Sequence, residues 1–317
     1  NSSVSIIGGY PKNAKTGDVS DPKVYKTIFT GDPSGDDYYD VNKLYGSYLG
    51  RVIDPSGDDI NMGALFNADA TSKLYFYGCD FKGGTGQNIN NDDLYRYVSS
   101  PIYANFIKLE KCELDVIGTT WAADKSKASR LEASECIFRN RPSCSSPSSI
   151  FSCDTLKVEK SMFENMSGTS GGCFSRVDKA IFIENSTFNN IISSSSLYEG
   201  GSLSALYYLN NTFNNLTESG SYNSNFAKSS ENTDIKIIGN IFVNCSYSAV
   251  IDEVLDNCEV RDNLCSGNTV GTKLDLQTDN IDDVLDWLNG APVLKDNGGF
   301  TPTVALKSDT LSNGTSI

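Results

Sequence analysis

The 317-residue chain contains no histidine. Histidine is the commonest general base and a frequent zinc or haem ligand, so its absence excludes Ser/His/Asp and Cys/His triads and most such metal sites. An enzyme built on this sequence would have to use carboxylates, lysine, arginine or tyrosine. The nine cysteines form no Cys-x-x-Cys pair, which argues against a zinc ribbon or a thioredoxin-like site.

Long apolar runs and basic patches are also missing from the sequence. We find no run of about 18 apolar residues, so we expect no transmembrane helix. The formal net charge is −14 and the pI is about 4.5. Such an acidic surface disfavours nucleic acid and anionic membranes, because phosphate binding needs clustered Lys and Arg. It suits an extracellular surface or one that binds cations.

What the sequence does contain is a repeat of the tripeptide Phe-x-Asn. The phenylalanines are spaced 25, 25, 25 and 29 residues apart, and a short strand of alternating polarity precedes each of them. The repeat consists of Phe138, Phe163, Phe188, Phe213 and Phe242, followed two positions later by Asn140, Asn165, Asn190, Asn215 and Asn244. Phe81, Leu114 and Cys265 continue the same register at the two ends.

A unit of about 25 residues made of short strands predicts an all-β fold, a right-handed parallel β-helix in which each unit is one coil. Coils stack about 4.8 Å apart, so we expect an interior stack of phenylalanines and a ladder of asparagine amides at the next inward position. The chain length predicts about ten to twelve coils at this spacing. Leucine-rich repeats are the rival fold, but their LxxLxLxxN consensus is absent.

The repeat divides the chain into three predicted parts. Residues 1–60 form an irregular N-terminal cap with the first coils, residues 61–275 form the repeats, and residues 276–317 form a C-terminal cap. Within this cap a short helix is predicted because apolar residues fall on one helical face and a glycine follows as the C-cap. These residues are Ile281, Val284, Leu285, Leu288 and Gly290.

The cysteines fall into two groups. Cys79, Cys112 and Cys136 share one register, two residues before Phe or Leu, and are either buried free thiols or partners in disulfides between coils. Cys144 and Cys153 bracket a loop rich in proline and serine, and they are the better candidates for a disulfide.

The hexapeptide DPSGDD occurs twice, at Asp32–Asp37 and at Asp54–Asp59. The pattern is typical of a turn capped locally by aspartate side chains. It also permits a Ca²⁺ site, because hard cations bind several carboxylate oxygens in a flexible loop. The candidate ligands are Asp32, Asp36, Asp37 and Asp40. Catalytic acids are a third interpretation.

Three stretches of the chain carry a resemblance to a known family. They are SIIGGYP at Ser5–Pro11 followed by TIFTGDPSGDD at Thr27–Asp37, then FYGCDFKGG at Phe76–Gly84, then DNGGFTPTVAL at Asp296–Leu306. These resemble the opening, first-coil and closing elements of secreted bacterial β-helix repeat proteins found on Bacteroidetes surfaces. SGGCF at Ser170–Phe174 and EGGSL at Glu199–Leu203 are similar to an element of chlamydial polymorphic outer-membrane proteins. The resemblance implies a right-handed β-helix and an extracellular or cell-surface location.

Many β-helices degrade polysaccharides, so the enzyme hypothesis must be weighed. Asn232-Thr233-Asp234 and Asp282-Asp283 match two pieces of a galacturonase-type pattern, but its Gly-His-Gly element cannot occur without histidine. A lyase would need a basic residue beside acidic ligands, and Lys157, Lys160 and Arg176 show no such spacing. We therefore interpret these residues as parts of solvated faces.

The sequence favours a non-enzymatic, adhesin-like surface protein that binds a glycan or a surface protein along one side. Tyrosines supply contact area at low entropic cost. The candidates are Tyr38, Tyr39, Tyr95, Tyr97, Tyr198, Tyr207 and Tyr208. The alternatives are a polysaccharide lyase or glycoside hydrolase and a filament subunit that associates end to end.

Overall fold

A computed structural model gives the fold of most of the repeat region. It describes residues 3–30, 38–45, 48–53, 66–68, 71–82, 102–115, 120–121, 129–141, 151–167, 174, 176–193, 197, 203–218, 225–227, 231–246, 249–251, 255–266, 287–288, 291–292, 294–295, 300–301 and 303–304. The described residues are all β and turns, with two long parallel sheets, which confirms the predicted parallel β-helix.

The first long sheet, sheet A, carries nine parallel strands in coil order. They are β1 (Ser3–Ile7), β6 (Lys73–Tyr77), β9 (Phe106–Glu110), β12 (Arg130–Ser134), β14 (Phe151–Glu159), β16 (Arg176–Glu184), β18 (Ala205–Leu209), β21 (Asp234–Ile238) and β24 (Cys258–Arg261). Short strands β5 (Phe66–Asn67), β8 (Ile102–Tyr103) and β11 (Thr120–Trp121) extend from it through β14.

The second long sheet, sheet B, also has nine parallel strands. They are β2 (Thr27–Thr30), β7 (Cys79–Lys82), β10 (Glu113–Asp115), β13 (Ile137–Arg141), β15 (Met162–Ser167), β17 (Thr187–Ser193), β19 (Thr212–Glu218), β22 (Ile241–Val243) and β25 (Leu264–Ser266). Each coil therefore supplies one strand to each sheet, as a solenoid requires.

The remaining strands form four separate pairs. β20 (Asn225–Ala227) and β23 (Ala249–Ile251) are parallel. The antiparallel pairs are β3 (Tyr38–Tyr45) with β4 (Tyr48–Ile53), β26 (Trp287–Leu288) with β27 (Ala291–Pro292), and β28 (Leu294–Lys295) with β29 (Thr303–Val304). β26 occupies the end of the segment predicted as a helix, so that helix does not extend through Leu288. Residues 280–286 lie outside the described residues.

The first coil is formed by residues that carry no repeat signature. β1 pairs with β6 at Ser3↔Lys73, and β2 pairs with β7 at Phe29↔Phe81. This coil is separated from the next by an insertion that the 25-residue spacing does not predict. Insertions of this kind explain why each long sheet has nine described strands, fewer than the ten to twelve coils expected from length alone.

The phenylalanine column is the centre of the core. Phe138, Phe163, Phe188, Phe213 and Phe242 stack coil on coil, with ring centroids 4.5–4.9 Å apart and interplanar angles of 5–23°. A second set of phenylalanines, from outside the Phe-x-Asn repeat, meets this column edge to face. It consists of Phe151, Phe174 and Phe226.

The asparagine ladder occurs, but not at an inward position. Asn140, Asn165, Asn190, Asn215 and Asn244 all have positive φ, between 51° and 56°. They turn the chain at a corner in sheet B, and Asn190, Asn215 and Asn244 are exposed, so the expectation of buried amides is wrong. Asparagine tolerates the left-handed region better than most residues, which is why it recurs there. Its amides still bond between coils, Asn215 Nδ2 to Asn190 Oδ1 at 2.8 Å and Asn190 Nδ2 to Asn165 Oδ1 at 3.2 Å.

A third column, which we call the polar spine, lies at the inward corner before sheet B. It changes from cysteine to serine to asparagine along the helix: Cys79, Cys112, Cys136, Ser161, Ser186, Asn211, Asn240 and Asn263. From Cys136 onward the backbone N–H of each residue donates to the side-chain oxygen of the next, at 2.9–3.1 Å. The spine therefore satisfies buried backbone donors that no sheet ladder reaches.

Candidate functional site

Most of the predicted Ca²⁺ ligands lie outside the residues that the structure describes. Asp32, Asp36 and Asp37 lie outside the described residues, and Asp40 lies in β3 opposite Arg51 of β4. The part of the chain that the structure describes contains no group of three or more acidic or cysteine side chains suited to a metal ion. Calcium binding by the acidic turns stays a prediction.

The cysteines of the repeat are buried thiols. Cys79, Cys112 and Cys136 are fully buried and free, and Cys153 is also a free thiol, 3% exposed, rather than half of a disulfide. Cys153 lies in β14 and packs into the core, where burial raises its pKa. Its predicted partner Cys144 lies outside the described residues.

The candidate tyrosines separate into different environments. Tyr208 is fully buried in the core, whereas its neighbour Tyr207 faces outward on β18 and is half-buried. Tyr38 and Tyr39 lie in β3, opposite Ile53 and Val52. Tyr95, Tyr97 and Tyr198 lie outside the described residues. Of the two described tyrosines of this set that lie in the long sheets, Tyr207 is therefore the one that faces outward.

Described residues of the galacturonase-like pattern and of the lyase set have structural partners. Thr233 donates to the carbonyl of Leu203 at 2.7 Å and is buried, and Asp234 accepts a hydrogen bond from Tyr207. Lys157 pairs with Glu159 on the same strand at 3.5 Å. Thr233 is therefore a buried scaffold residue, whereas Lys157 lies on the outward, solvent-facing side of β14, as expected for a residue of a solvated face.

The outward face of sheet B is covered along most of its length. In each coil, one outward residue lies directly before the position of the phenylalanine column. These outward residues are nearly all buried, namely Asp80, Glu113, Ile137, Met162, Thr187 and Ile241. Strand β4 contacts β15, and the buried Thr301 hydroxyl donates to the carbonyl of Lys160 at 2.8 Å. Segments outside the coils thus close this face to large ligands.

Beneath this cover lies a cluster of charges near the first coils. Lys26 Nζ lies 3.2 Å from Asp80 Oδ2 and 3.5 Å from Glu113 Oε2, and the ring of Phe300 lies 5.6 Å from the same Nζ. Arg139 contacts the other oxygen of Glu113 at 2.9 Å. Burial raises the pKa of Asp80, and Lys26 only partly offsets this effect. Lys26 thereby ties the first coil to the second and third.

The raised pKa of Asp80 predicts a pH dependence of stability. Because the folded state holds this proton more tightly than the unfolded chain, the contribution is present below the unfolded pKa, near 4, and is lost as pH rises through the folded pKa. As the pH rises from the unfolded pKa through the folded pKa, the free energy of unfolding of the native protein should fall relative to that of Asp80→Asn. We expect a total fall of about 1.4 kcal/mol for each unit by which folding raises the pKa. Urea titrations of both proteins across the acidic range measure it. A difference that is flat or rises with pH would contradict the assignment.

The outward face of sheet A, which we call face A, has the opposite character. Its central column contains half-buried aromatic and charged side chains in strict register, namely Tyr75, Lys108, Glu132, Lys157, Phe182, Tyr207 and Lys236. The strands place these side chains about 4.8 Å apart along the helix axis. Face A is therefore a flat, regularly spaced row of side chains.

Two aromatic residues pair near the middle of face A. The rings of Phe182 and Tyr207 meet edge to face with centroids 5.1 Å apart. The Tyr207 hydroxyl donates to Asp234, which raises its pKa, and Lys236 Nζ lies 4.7 Å from the ring. Lys157 precedes Phe182 in the same column. The pair is thus an apolar platform held between two lysines.

A second aromatic group lies toward the first coils on face A. The Tyr75 hydroxyl donates to Glu110 Oε2 at 3.0 Å, and Lys108 Nζ lies 5.3 Å from the Tyr75 ring. Lys111 makes a similar contact with Tyr77 at 5.5 Å. Ion pairs Lys108–Glu110 and Arg130–Glu132 continue the row, so charges of both signs alternate with aromatic surface.

Tyr75, Tyr77 and Phe182 are missing from the candidates chosen from sequence. A signal was present, because each occupies the outward phase of a strand whose inward residues are aliphatic or aromatic, as in KLYFY and AIFIE. The alternation shows which side chains face outward but not which sheet is left uncovered. The latter depends on distant segments such as β4 and residues 300–301.

The part of the chain that the structure describes includes no helix long and apolar enough to cross a membrane. Comparisons with protein-family models, curated proteins and solved structures found no match to the chain.

Proposed function

We propose that the protein is a non-enzymatic, adhesin-like extracellular surface protein that binds a glycan or a protein partner through face A. The observation that carries this proposal is the Phe182–Tyr207 platform between Lys157 and Lys236. An aromatic ring offers a rigid apolar surface, and tyrosine adds a hydroxyl that can donate or accept. Such residues are enriched where proteins bind partners.

The contrast between the two sheets supports the choice of face A. Outward residues of sheet B such as Met162 and Thr187 are buried, whereas the aligned residues of sheet A are half-buried or exposed. Among the described residues, no segment covers the central column of sheet A, so a ligand that approaches from solvent can contact it directly. A long, repetitive face suits an extended ligand such as a polysaccharide.

The polar groups of face A suit hydroxyl-rich ligands. Glu110, Glu159 and Glu184 line the column beside Lys108, Lys157 and Phe182. Carboxylates accept and ammonium groups donate hydrogen bonds, so each coil presents both capacities beside an apolar patch. A Ca²⁺ ion bound by the acidic turns would be an accessory to this face, and chelation tests its contribution.

A glycan-array screen, run with and without EDTA and followed by analysis of cleavage products, tests the proposal. We expect binding without cleavage, and we expect Tyr207→Ala and Phe182→Ala to lower affinity about tenfold or more. Tyr25→Ala is the matched control, because Tyr25 is 39% exposed in the loop before β2 and does not lie on face A. Unchanged binding of both face A variants would refute the role of this face.

The second candidate function is a carbohydrate-active enzyme. The grouping of Lys26, Asp80, Glu113 and Arg139 favours it, because paired carboxylates beside basic groups are what lyases and glycosidases use. Substrate access would require the cover of sheet B to open. Cleavage products that disappear in Glu113→Gln but persist in Tyr207→Ala would establish this activity in place of the binding role.

A further inference from the structure

The two ends of the solenoid share a property that the middle coils lack. Inward residues of the middle coils are nearly fully buried. Half-buried hydrophobic residues that pack against the core belong to the first coils and to the last described coil, namely Ile6, Phe29, Phe66 and Ala68 at one end and Cys258 and Val260 at the other. Within the part of the chain that the structure describes, both ends of the core are therefore incompletely covered.

Exposed apolar surface is concentrated at the first end. All the large hydrophobic residues recorded as exposed in the described part of the chain fall within its first 28 residues: Val4, Ile7, Tyr10, Val19, Val24, Tyr25 and Ile28. β1 and β2 are also the outermost strands of sheets A and B there, and each pairs with one neighbour. A strand edge beside exposed apolar side chains is a template for pairing with another chain.

The charges of the two ends are complementary. Residues 1–30 carry four lysines and two aspartates, although the whole chain has a net charge of −14. Residues 249–266, which contain the last described coil, carry five acidic residues and one arginine. Two first ends would repel one another, as would two last ends, whereas a first end attracts a last end.

We propose that copies of this chain associate head to tail, with β24 and β25 of one copy pairing with β1 and β2 of the next. The register of the sheets carries directly across such a junction. Val4 lies in the same inward column as Cys258, and Ile6 lies in the same column as Val260. The junction would therefore bury the half-exposed residues of both ends in one continuous core.

The polar spine would also continue across the junction. Asn240 donates its backbone N–H to Asn263 Oδ1, the last side-chain acceptor described in the column. The position that follows Asn263 in a stacked copy is Thr27, which pairs in register with Cys79. Its hydroxyl accepts one bond from Gly9 N–H at 3.1 Å and retains a second lone pair. Parallel stacking thus supplies an acceptor for the next backbone donor.

Mass photometry and sedimentation velocity over micromolar to millimolar concentrations test the proposal. We expect the native protein to form linear oligomers whose length increases with concentration. The head variant Val4→Glu and the tail variant Val260→Glu should each weaken self-association about tenfold or more, because each buries a carboxylate in the junction. Val19→Glu, at an exposed loop position that is not in the stacking columns, is the matched control.

A mixing experiment separates head-to-tail stacking from other modes. The head variant keeps an intact tail and the tail variant keeps an intact head, so an equimolar mixture should form dimers that neither variant forms alone. A double variant, Glu259→Lys with Asp262→Lys, reverses two exposed charges at the last described coil without altering the core. It should also weaken self-association, because the two ends would no longer have complementary charges. A native protein that stays monomeric throughout the concentration range, or a mixture that stays monomeric, overturns the proposal.

Discussion

Replacement of Phe188 by alanine is expected to lower the free energy of unfolding by about 3–5 kcal/mol, because the cavity cannot collapse between rings fixed in neighbouring coils. Phe188 is fully buried and stacks on Phe163 at 4.5 Å and on Phe213 at 4.9 Å, and the edge of Phe174 contacts it at 6.1 Å. Each coil contacts only its neighbours in a solenoid, so the loss should be largest for coils next to the substitution.

Urea denaturation followed by circular dichroism measures this effect, and hydrogen exchange locates it. Phe182→Ala is the matched control, because Phe182 lies in the same coil but faces outward and is half-buried. We expect it to cost less than about 1.5 kcal/mol. Equal losses for the two variants would show that the phenylalanine column is not the main stabilising element of this coil.

Replacement of Asn211 by alanine should cost about 2–5 kcal/mol through unsatisfied buried polar groups. Asn211 is buried, with 1% of its surface exposed. Its side chain accepts a hydrogen bond from Ser186 N–H at 2.9 Å, and it donates to the Ile183 carbonyl at 2.9 Å and to Asn240 Oδ1 at 3.1 Å. Alanine removes all three bonds and leaves the Ser186 N–H and the Ile183 carbonyl without these side-chain partners.

Asn211→Ser distinguishes lost hydrogen bonds from lost side-chain volume. If hydrogen bonding matters, serine should restore part of the stability that alanine removes. Ser186 already offers its hydroxyl to the backbone N–H of Ser161 at 3.1 Å, so serine at position 211 can serve Ser186 N–H in the same way. We expect Asn211→Ser to recover a substantial part of the loss in urea denaturation. If serine is as destabilising as alanine, hydrogen bonding by the spine does not determine the stability of this corner.

The phenylalanine column, the asparagine ladder and the polar spine show how much of the fold could be predicted from the sequence. The Phe-x-Asn spacing was sufficient to predict a solenoid and the register that aligns Phe138 with Phe163 and Phe188, because equal spacing places equal residues above one another. The inward position of the asparagines was wrong, since alternation fails where the chain turns through a left-handed residue. The polar spine was recognised only in its three cysteines, because its members change identity along the helix.

The candidate site was less predictable than the core. Tyr207 was among the residues chosen from sequence, but Tyr208 is buried and Phe182 was missed. A strand of alternating polarity shows which residues point away from the core, yet both long sheets have such residues. Which of the two faces is open depends on contacts such as Thr301 with Lys160, which are 141 residues apart in the chain.

By itself, the sequence determined the fold class, the stacking interval and the aromatic core, because these follow from residues repeated at a constant local spacing. Tertiary structure alone decided that residues 3–30 form the first coil, that sheet B is covered and that no described segment covers the central column of sheet A. These outcomes depend on pairings between distant, non-repeated segments, such as Ser3 with Lys73 and Lys26 with Glu113. No periodic pattern encodes such pairings, since each occurs once and is selected by the surface that it meets.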